Sequence, residues 1–148
     1  MKNQKRFIIL TDDDKDEHVL FKEVAEEFKE IDCLISFEKA SDLLEYLNDS
    51  SQISPHIIFL DLNMPTISGF ECLFEIKSNE AFKNVKIVIY STSCSEKDVK
   101  TTFDMGADLY VTKPSNFYHM RELVEKVLEY NWDQSALNRN LNNYKLIL

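Results

Sequence analysis

Four apolar runs in this sequence stop abruptly at a polar residue, and they constrain the fold more than any other feature. In chain order, the runs end at Asp12 and Asp13, at Asp61, at Ser91 and at Lys113. Short apolar runs bounded by turn residues are typical of buried strands in a parallel sheet. The carboxyl ends of such strands meet at one edge of the sheet, so these side chains are expected to share one pocket. Acids, a hydroxyl and a lysine together suit a hard cation and a phosphoryl group.

Amphipathic stretches separate the apolar runs, and the alternation of strand and helix occurs five times. This pattern predicts an α/β fold with a doubly wound, five-stranded parallel sheet. Apolar residues at helical spacing, including Val19 and Phe74, are expected to face the core. The predicted strands are 6–11, 32–37, 56–61, 86–91 and 108–112. The first predicted helix begins near residues 14–16, and the other four cover 40–48, 67–79, 95–104 and 116–130.

A set of short motifs in a fixed order makes the chain resemble the receiver domain of two-component response regulators. The spacing of 30 residues from Asp61 to Ser91, and of 22 residues from Ser91 to Lys113, is similar to that of the family. The run Ser91-Thr92-Ser93 resembles stand-alone receivers of the chemotaxis and phytochrome types. The motifs lie within residues 6–130 and comprise Asp12-Asp13, Asp61, Met64-Pro65, Gly69, Ser91, Gly106-Ala107-Asp108, Tyr110 and Lys113-Pro114.

The acids at the strand ends form the predicted metal site. The resemblance implies a flavodoxin-like (βα)5 fold with strand order 2-1-3-4-5, which brings Asp12, Asp13 and Asp61 together. At about 5 Å and an effective dielectric of about 20, each pair of carboxylates repels by roughly 3 kcal/mol, and a divalent cation removes that penalty. Hard oxygen ligands with positions left for water and phosphate suit Mg²⁺. We assign Asp13 and Asp61 as direct ligands and Asp12 as a ligand through water, and the resemblance adds the backbone carbonyl of Asn63.

Asp61 is the predicted phosphorylation site. The resemblance implies that its carboxylate takes a phosphoryl group from the phosphohistidine of a sensor histidine kinase or a histidine phosphotransfer protein. The transferring group spreads its charge over three oxygens, so Mg²⁺, Lys113 and the Ser91 hydroxyl would each hold one. Ser91 and Tyr110 are the implied switch residues, which change a surface read by a downstream protein target. The only catalysis expected of the chain is its own phosphorylation and dephosphorylation, so it is not predicted to be an enzyme.

Two backbone features are expected near these motifs. Gly69 and Gly106 are the only glycines in the chain, and each is predicted at a left-handed position or at a close approach that a Cβ would strain. The family pattern also suggests a cis peptide bond between Lys113 and Pro114.

Charge, hydropathy and cysteine content limit the partners and the compartment. The net charge of −9 argues against non-specific nucleic-acid binding, which needs Lys and Arg. No apolar run approaches the roughly 20 residues of a membrane span. The cysteines Cys33, Cys72 and Cys94 are odd in number and lack metal-like spacing, which predicts free thiols in a reducing compartment. A cytoplasmic protein without nucleic-acid or membrane partners is therefore expected.

The chain divides into a predicted receiver domain, residues 1–130, and a short Asn-rich tail, residues 131–148, with no output domain expected. Leu137, Leu141, Tyr144 and Leu148 recur at the spacing of one helical stripe, which predicts an ordered tail that buries this stripe. The surface that covers it could be the receiver itself or a second copy of the chain, so a homodimer is left open.

Two other functions compete with the receiver interpretation. A phosphohydrolase of the haloacid-dehalogenase type also uses an Asp nucleophile at a strand end, but it needs a second Asp where this chain has Asn63. A flavodoxin-like FMN-binding protein needs a phosphate-binding loop after the first strand, where this chain has Asp12 and Asp13 instead.

Overall fold

The computed structural model describes residues 5–146, and its centre is one five-stranded parallel sheet. The strand order is β2-β1-β3-β4-β5, as the resemblance implies. Each strand begins and ends within two residues of its predicted bounds. The strands are β1 (Arg6–Thr11), β2 (Ile31–Phe37), β3 (Ile57–Leu60), β4 (Lys86–Ser91) and β5 (Leu109–Thr112).

Both faces of the sheet are covered, because neighbouring residues on each strand point to opposite sides. Ile8 of β1 packs on one side with Phe21 and Phe59, whereas Ile9 packs on the other side with Leu43. All four residues of β3 are buried. This double burial explains why the central strands are continuous apolar runs and not alternating ones.

Four α-helices connect consecutive strands, and one long and two short helices follow the fifth strand. Val19 and Phe74 are 59% and 54% exposed, so the prediction that they face the core was wrong. Phe21 and Cys72 take the inward positions of their helices instead. No helix within residues 5–146 is long and apolar enough to cross a membrane. The helices are α1 (Lys15–Ala25), α2 (Ala40–Asn48), α3 (Gly69–Lys77), a 3₁₀ turn (Glu80–Phe82), α4 (Glu96–Asp104), α5 (Phe117–Glu129), α6 (Trp132–Leu137) and α7 (Leu141–Tyr144).

Both glycines occupy the kind of position that the sequence predicts. A Cβ added to Gly69 would lie 2.1 Å from the carbonyl oxygen of Asp61, and Gly106 has a φ of 96°. The expected cis bond before Pro114 is wrong, because no cis peptide bond occurs in residues 5–146. The Lys113 backbone is held instead by its N–H, which donates to the Ser91 carbonyl oxygen at 2.8 Å.

Residues 131–146 of the tail are ordered as predicted, but they do not form one helix. Asn138 ends α6, and the side chain of Asn140 caps the start of α7 by accepting from the Asn143 N–H. Asparagine favours such caps over helix interiors, which breaks the predicted stripe. Leu137 is 82% exposed, whereas Tyr144 is only 2% exposed. The last member of the stripe, Leu148, lies outside the described residues.

Candidate functional site

The register of β1 and β3 places the key acids side by side. Thr11 pairs with Leu60, and each of these residues is followed directly by an aspartate. The N–H of Asp61 donates to the carbonyl oxygen of Thr11 at 3.0 Å, which extends the ladder to the end of the strands. Asp12 and Asp61 therefore leave neighbouring strands at the same edge of the sheet.

Asp12, Asp13 and Asp61 form the acid cluster. Each contributes one carboxylate oxygen to a group in which all the oxygens lie within 4.8 Å of one another. Asp12 and Asp61 are 0% and 4% exposed, whereas Asp13 is exposed. Two buried acids and one accessible acid form a half-open set of oxygen ligands, which suits a divalent cation that keeps some of its water.

Lys113 reaches into the same cluster from the end of β5. Its Nζ lies 2.6 Å from Oδ2 of Asp12 and 3.6 Å from Oδ1 of Asp61, and its side chain is only 9% exposed. Burial alone would lower the pKa of Lys113, but the hydrogen bond to Asp12 and the charges of Asp12 and Asp61 outweigh it and raise the pKa. Lys113 therefore stays protonated and neutralises part of the negative charge of the three acids.

The environment of the cluster also changes the protonation of Asp61. Burial, followed by repulsion from Asp12, raises its pKa from 3.8 to about 6, although the Lys113 charge and a hydrogen bond from the Asn63 backbone oppose the rise. A raised carboxyl pKa in a polar cluster is typical of functional sites. Asn63 itself is exposed, and its carbonyl remains a predicted ligand.

Ser91 and Tyr110 are connected through one intervening residue. Ser91 is fully buried, and its Oγ accepts a hydrogen bond from the N–H of Ser93 at 3.1 Å. Tyr110 is also fully buried, and its hydroxyl donates to the carbonyl oxygen of Ser93 at 2.8 Å. Burial raises the pKa of the Tyr110 phenol, so the group remains a neutral donor. The two predicted switch residues thus hold opposite sides of the Ser93 main chain.

Sequence reasoning missed two supporting contacts around the cluster. His18 lies beside the site, with Nε2 2.5 Å from the carbonyl oxygen of Asp12. The hydroxyl of Tyr90 donates to Glu17 at 2.7 Å, and the Tyr90 ring lies 5.4 Å from Nζ of Lys113. The position of these residues in the sequence could have indicated both contacts, because α1 begins directly after the acids and its first turns therefore border the pocket.

A family model for the response regulator receiver domain matches residues 8–127 of this chain. This range covers most of the sequence and includes all three acids, Ser91, Tyr110 and Lys113. The chain belongs to the response regulator receiver family.

Full-length relatives and solved structures agree with this assignment. A probable methanogenesis regulatory protein of Methanothrix harundinacea is 29% identical over 137 residues, which cover 87% of each chain. Response regulator Rcp1 of a Synechocystis species is 29% identical over 84% of this chain and 88% of its own. The Mn²⁺-bound structure of Rcp1 has a TM-score of 0.76 over 84% of this chain and 93% of its own, at 29% identity. The structure of the phosphorylated cyanobacterial phytochrome response regulator RcpA has a TM-score of 0.78 at 28% identity, over 88% of this chain and 96% of its own.

The fold, the acid cluster and the family together define a phosphoryl-accepting response regulator. Receivers of this family are signalling proteins, and the haloacid-dehalogenase alternative receives no support. The acid cluster also supports divalent-metal binding.

Proposed function

We propose that Asp61 is the phosphorylation site and that the acid cluster with Lys113 is its catalytic centre. The observation that carries the proposal is the position of Lys113 Nζ, which lies between a fully buried Asp12 and the carboxylate of Asp61. A carboxylate held beside an ammonium group at the end of a strand can attack a phosphorus atom whose oxygens the ammonium holds. The P–N bond of a phosphohistidine breaks, a P–O bond to Asp61 forms, and the electron pair leaves with the imidazole.

Mg²⁺ is the proposed metal, held directly by Asp13 and Asp61, through water by Asp12, and by the carbonyl oxygen of Asn63. The exposed Asp13 at the rim supports this assignment, because Mg²⁺ is bound by few carboxylates and keeps several waters. When bound, the cation would neutralise charge on the acids and on the phosphoryl group. The residues of the chain then divide the remaining work: Lys113 binds one phosphoryl oxygen and Ser91 donates its hydroxyl hydrogen to another.

The proposed partners are a sensor histidine kinase or a histidine phosphotransfer protein on the input side and a protein target on the output side. Ser91 and Tyr110 would be the switch, with residues 1–130 as the receiver and the tail after it. A homodimer, a cytoplasmic location and the lack of any catalysis beyond the chain's own phosphorylation remain predictions.

Phosphorylation by a small phosphodonor tests this function without the unknown kinase. Acetyl phosphate with Mg²⁺ should add one phosphoryl group to the intact protein, as measured by mass spectrometry. Asp61→Asn should remain unlabelled, and Lys113→Ala should be labelled much more slowly. Asp32→Asn, an exposed aspartate on β2, is the matched control and should be labelled like the wild type. Undiminished labelling of Asp61→Asn would contradict the assignment.

A further inference from the structure

Residues 138–146, the last described part of the tail, lie across the edge of the sheet and are here called the tail strap. β5 is an edge strand, so one side of its backbone has no neighbouring strand. The N–H of Leu146 donates to the carbonyl oxygen of Tyr110 at 2.9 Å, and Lys145 forms a parallel bridge with Tyr110. The strap therefore pairs with β5 at the residue predicted to be the switch.

Tyr144 is the aromatic anchor of the strap. Its ring lies 5.3 Å from the Phe103 ring and 6.1 Å from the Tyr110 ring, both in edge-to-face geometry. Its hydroxyl shares a 2.6 Å hydrogen bond with the hydroxyl of Thr102, which is the buried residue of α4. An aromatic ring buried to 2% exposure with its hydroxyl paired is a specific contact and not a loosely placed chain end.

Arg139 attaches the other end of the strap to the carboxyl end of α4. Its guanidinium carbon lies 3.8 Å from the centroid of the Phe103 ring. One terminal nitrogen donates to the carbonyl oxygens of Phe103 and Ala107, at 2.6 and 2.8 Å. A cation at this position pairs with the late helix carbonyl of Phe103 and complements the helix dipole. Thr102 is the only buried residue of α4, so these contacts add to the few that hold the helix in place.

A continuous series of contacts leads from the strap to the proposed catalytic hydroxyl. Tyr144 packs on Tyr110, Tyr110 donates to the Ser93 carbonyl oxygen, and the Ser93 N–H donates to Ser91 Oγ. The bond from the Ser93 N–H does not use the hydrogen of Ser91, and the Ser91 side chain also interacts with the Tyr110 hydroxyl, so Tyr110 influences where this hydrogen can be donated. An inward Tyr110 therefore holds the hydroxyl of Ser91 in an orientation that suits phosphoryl binding.

We infer that the tail strap is an intramolecular ligand of the α4–β5 surface that keeps Tyr110 turned inward and thereby strengthens phosphoryl binding at Asp61. Tyr110 has no exposed surface while the strap is bound, so a ring that turned outward would have to displace it. Two sites that favour the same arrangement help each other equally in both directions, as linkage requires. The inference rests on the proposed function of Asp61 and adds its regulation by the tail strap.

Beryllofluoride, a mimic of the phosphoryl group, tests the coupling in the full-length protein. Its affinity in the presence of Mg²⁺ is measured by calorimetry for the wild type, Arg139→Ala and Tyr144→Ala. Both variants should bind it at least about five-fold more weakly, which is the lower end of typical coupling between sites. Leu137→Ala changes an 82% exposed side chain of the same tail and should bind like the wild type.

A double-mutant cycle distinguishes an effect transmitted through the contacts from Tyr144 to Ser91 from a general loss of stability. In the Ser91→Ala background the hydroxyl is absent, so Tyr144→Ala should no longer change the beryllofluoride affinity. Amide exchange of the unaltered protein provides a measurement without any substitution: beryllofluoride should slow exchange at Leu146, whose N–H pairs with Tyr110.

The outcomes distinguish the two proposals. If the wild type does not bind beryllofluoride, the proposed function fails, and the inference fails with it. If the wild type binds, but the strap variants bind equally well or more tightly and exchange at Leu146 does not slow, the inference is overturned while the proposed function stands.

Discussion

Replacing Asp61 with Asn should stabilise the metal-free protein, although it removes the proposed phosphorylation site. Asp61 is 4% exposed and lies in a cluster with two other carboxylates. Burial and the charge of Asp12 raise its pKa from 3.8 to about 6, which means that its ionised form is disfavoured in the folded state. Asparagine has nearly the same shape and carries no charge, so it avoids that penalty.

The magnitude and the pH range follow from the two pKa values. Between 3.8 and about 6, the unfolded chain loses the Asp61 proton while the folded protein keeps it. The unfolded state then binds fewer protons, so wild-type stability falls as the pH rises through this range. A rise of this size in the pKa corresponds to a loss of about 3 kcal/mol in the free energy of unfolding, at 1.36 kcal/mol per pKa unit. The wild type shows the whole of this loss once the pH is above the pKa of Asp61 in the folded state.

Urea unfolding in the presence of a chelator measures this difference. The stability advantage of Asp61→Asn should be small below pH 3.8, grow up to about pH 6 and then stay constant. Adding Mg²⁺ should stabilise the wild type more than the variant, because binding to the folded state alone adds to its stability. Asp32→Asn, which changes an exposed acid outside the cluster, is the matched control and should not gain this stability advantage. An advantage that does not vary with pH, or a variant less stable than the wild type at high pH, would refute the reasoning.

Three further substitutions test other parts of the site. Asp13→Asn should greatly weaken Mg²⁺ binding in calorimetry and abolish labelling by acetyl phosphate; unchanged affinity would remove Asp13 from the metal site. Gly69→Ala places a Cβ 2.1 Å from the Asp61 carbonyl oxygen and should destabilise the protein by about 1–3 kcal/mol in urea unfolding, since overpacking forces the backbone to shift. Tyr90→Phe removes the 2.7 Å hydrogen bond to Glu17 and should lower stability by about 1 kcal/mol; a gain in stability would show that this bond contributes nothing.

The strands and the polar residues at their ends could be predicted because both depend on patterns local to the sequence, whereas the strand order was implied by the resemblance to the receiver family. Continuous apolar runs indicate strands that are buried on both faces, and the residue after each run must lie at the sheet edge. Asp12, Asp61 and Lys113 lie together for this reason. The close approach of Gly69 to the Asp61 backbone could also be predicted, because one of only two glycines in the sequence occurs where the loop after Asp61 meets the next helix.

The direction of individual side chains could not be predicted in the same way. The pairing of Lys113 with Asp12, 2.6 Å apart, depends on the path of β5 at the far side of the pocket. Val19 and Phe74 fit a helical stripe, but a helix on an α/β sheet buries only the residues that meet the strands below it. The tail was harder still, because Tyr144 is buried by α4 and β5, which precede it by many residues, and periodicity carries no information about such contacts.

Localisation of the phosphoryl group tests the central claim most directly. The protein is labelled with acetyl phosphate and Mg²⁺, the acyl phosphate is reduced with borohydride, and the peptides are sequenced by mass spectrometry. Reduction converts a phosphorylated aspartate into homoserine, which records the modified position permanently. The account predicts homoserine at position 61 alone, and only when Mg²⁺ is present. Modification at Asp12 or Asp13 instead, or labelling that persists with a chelator, would contradict it.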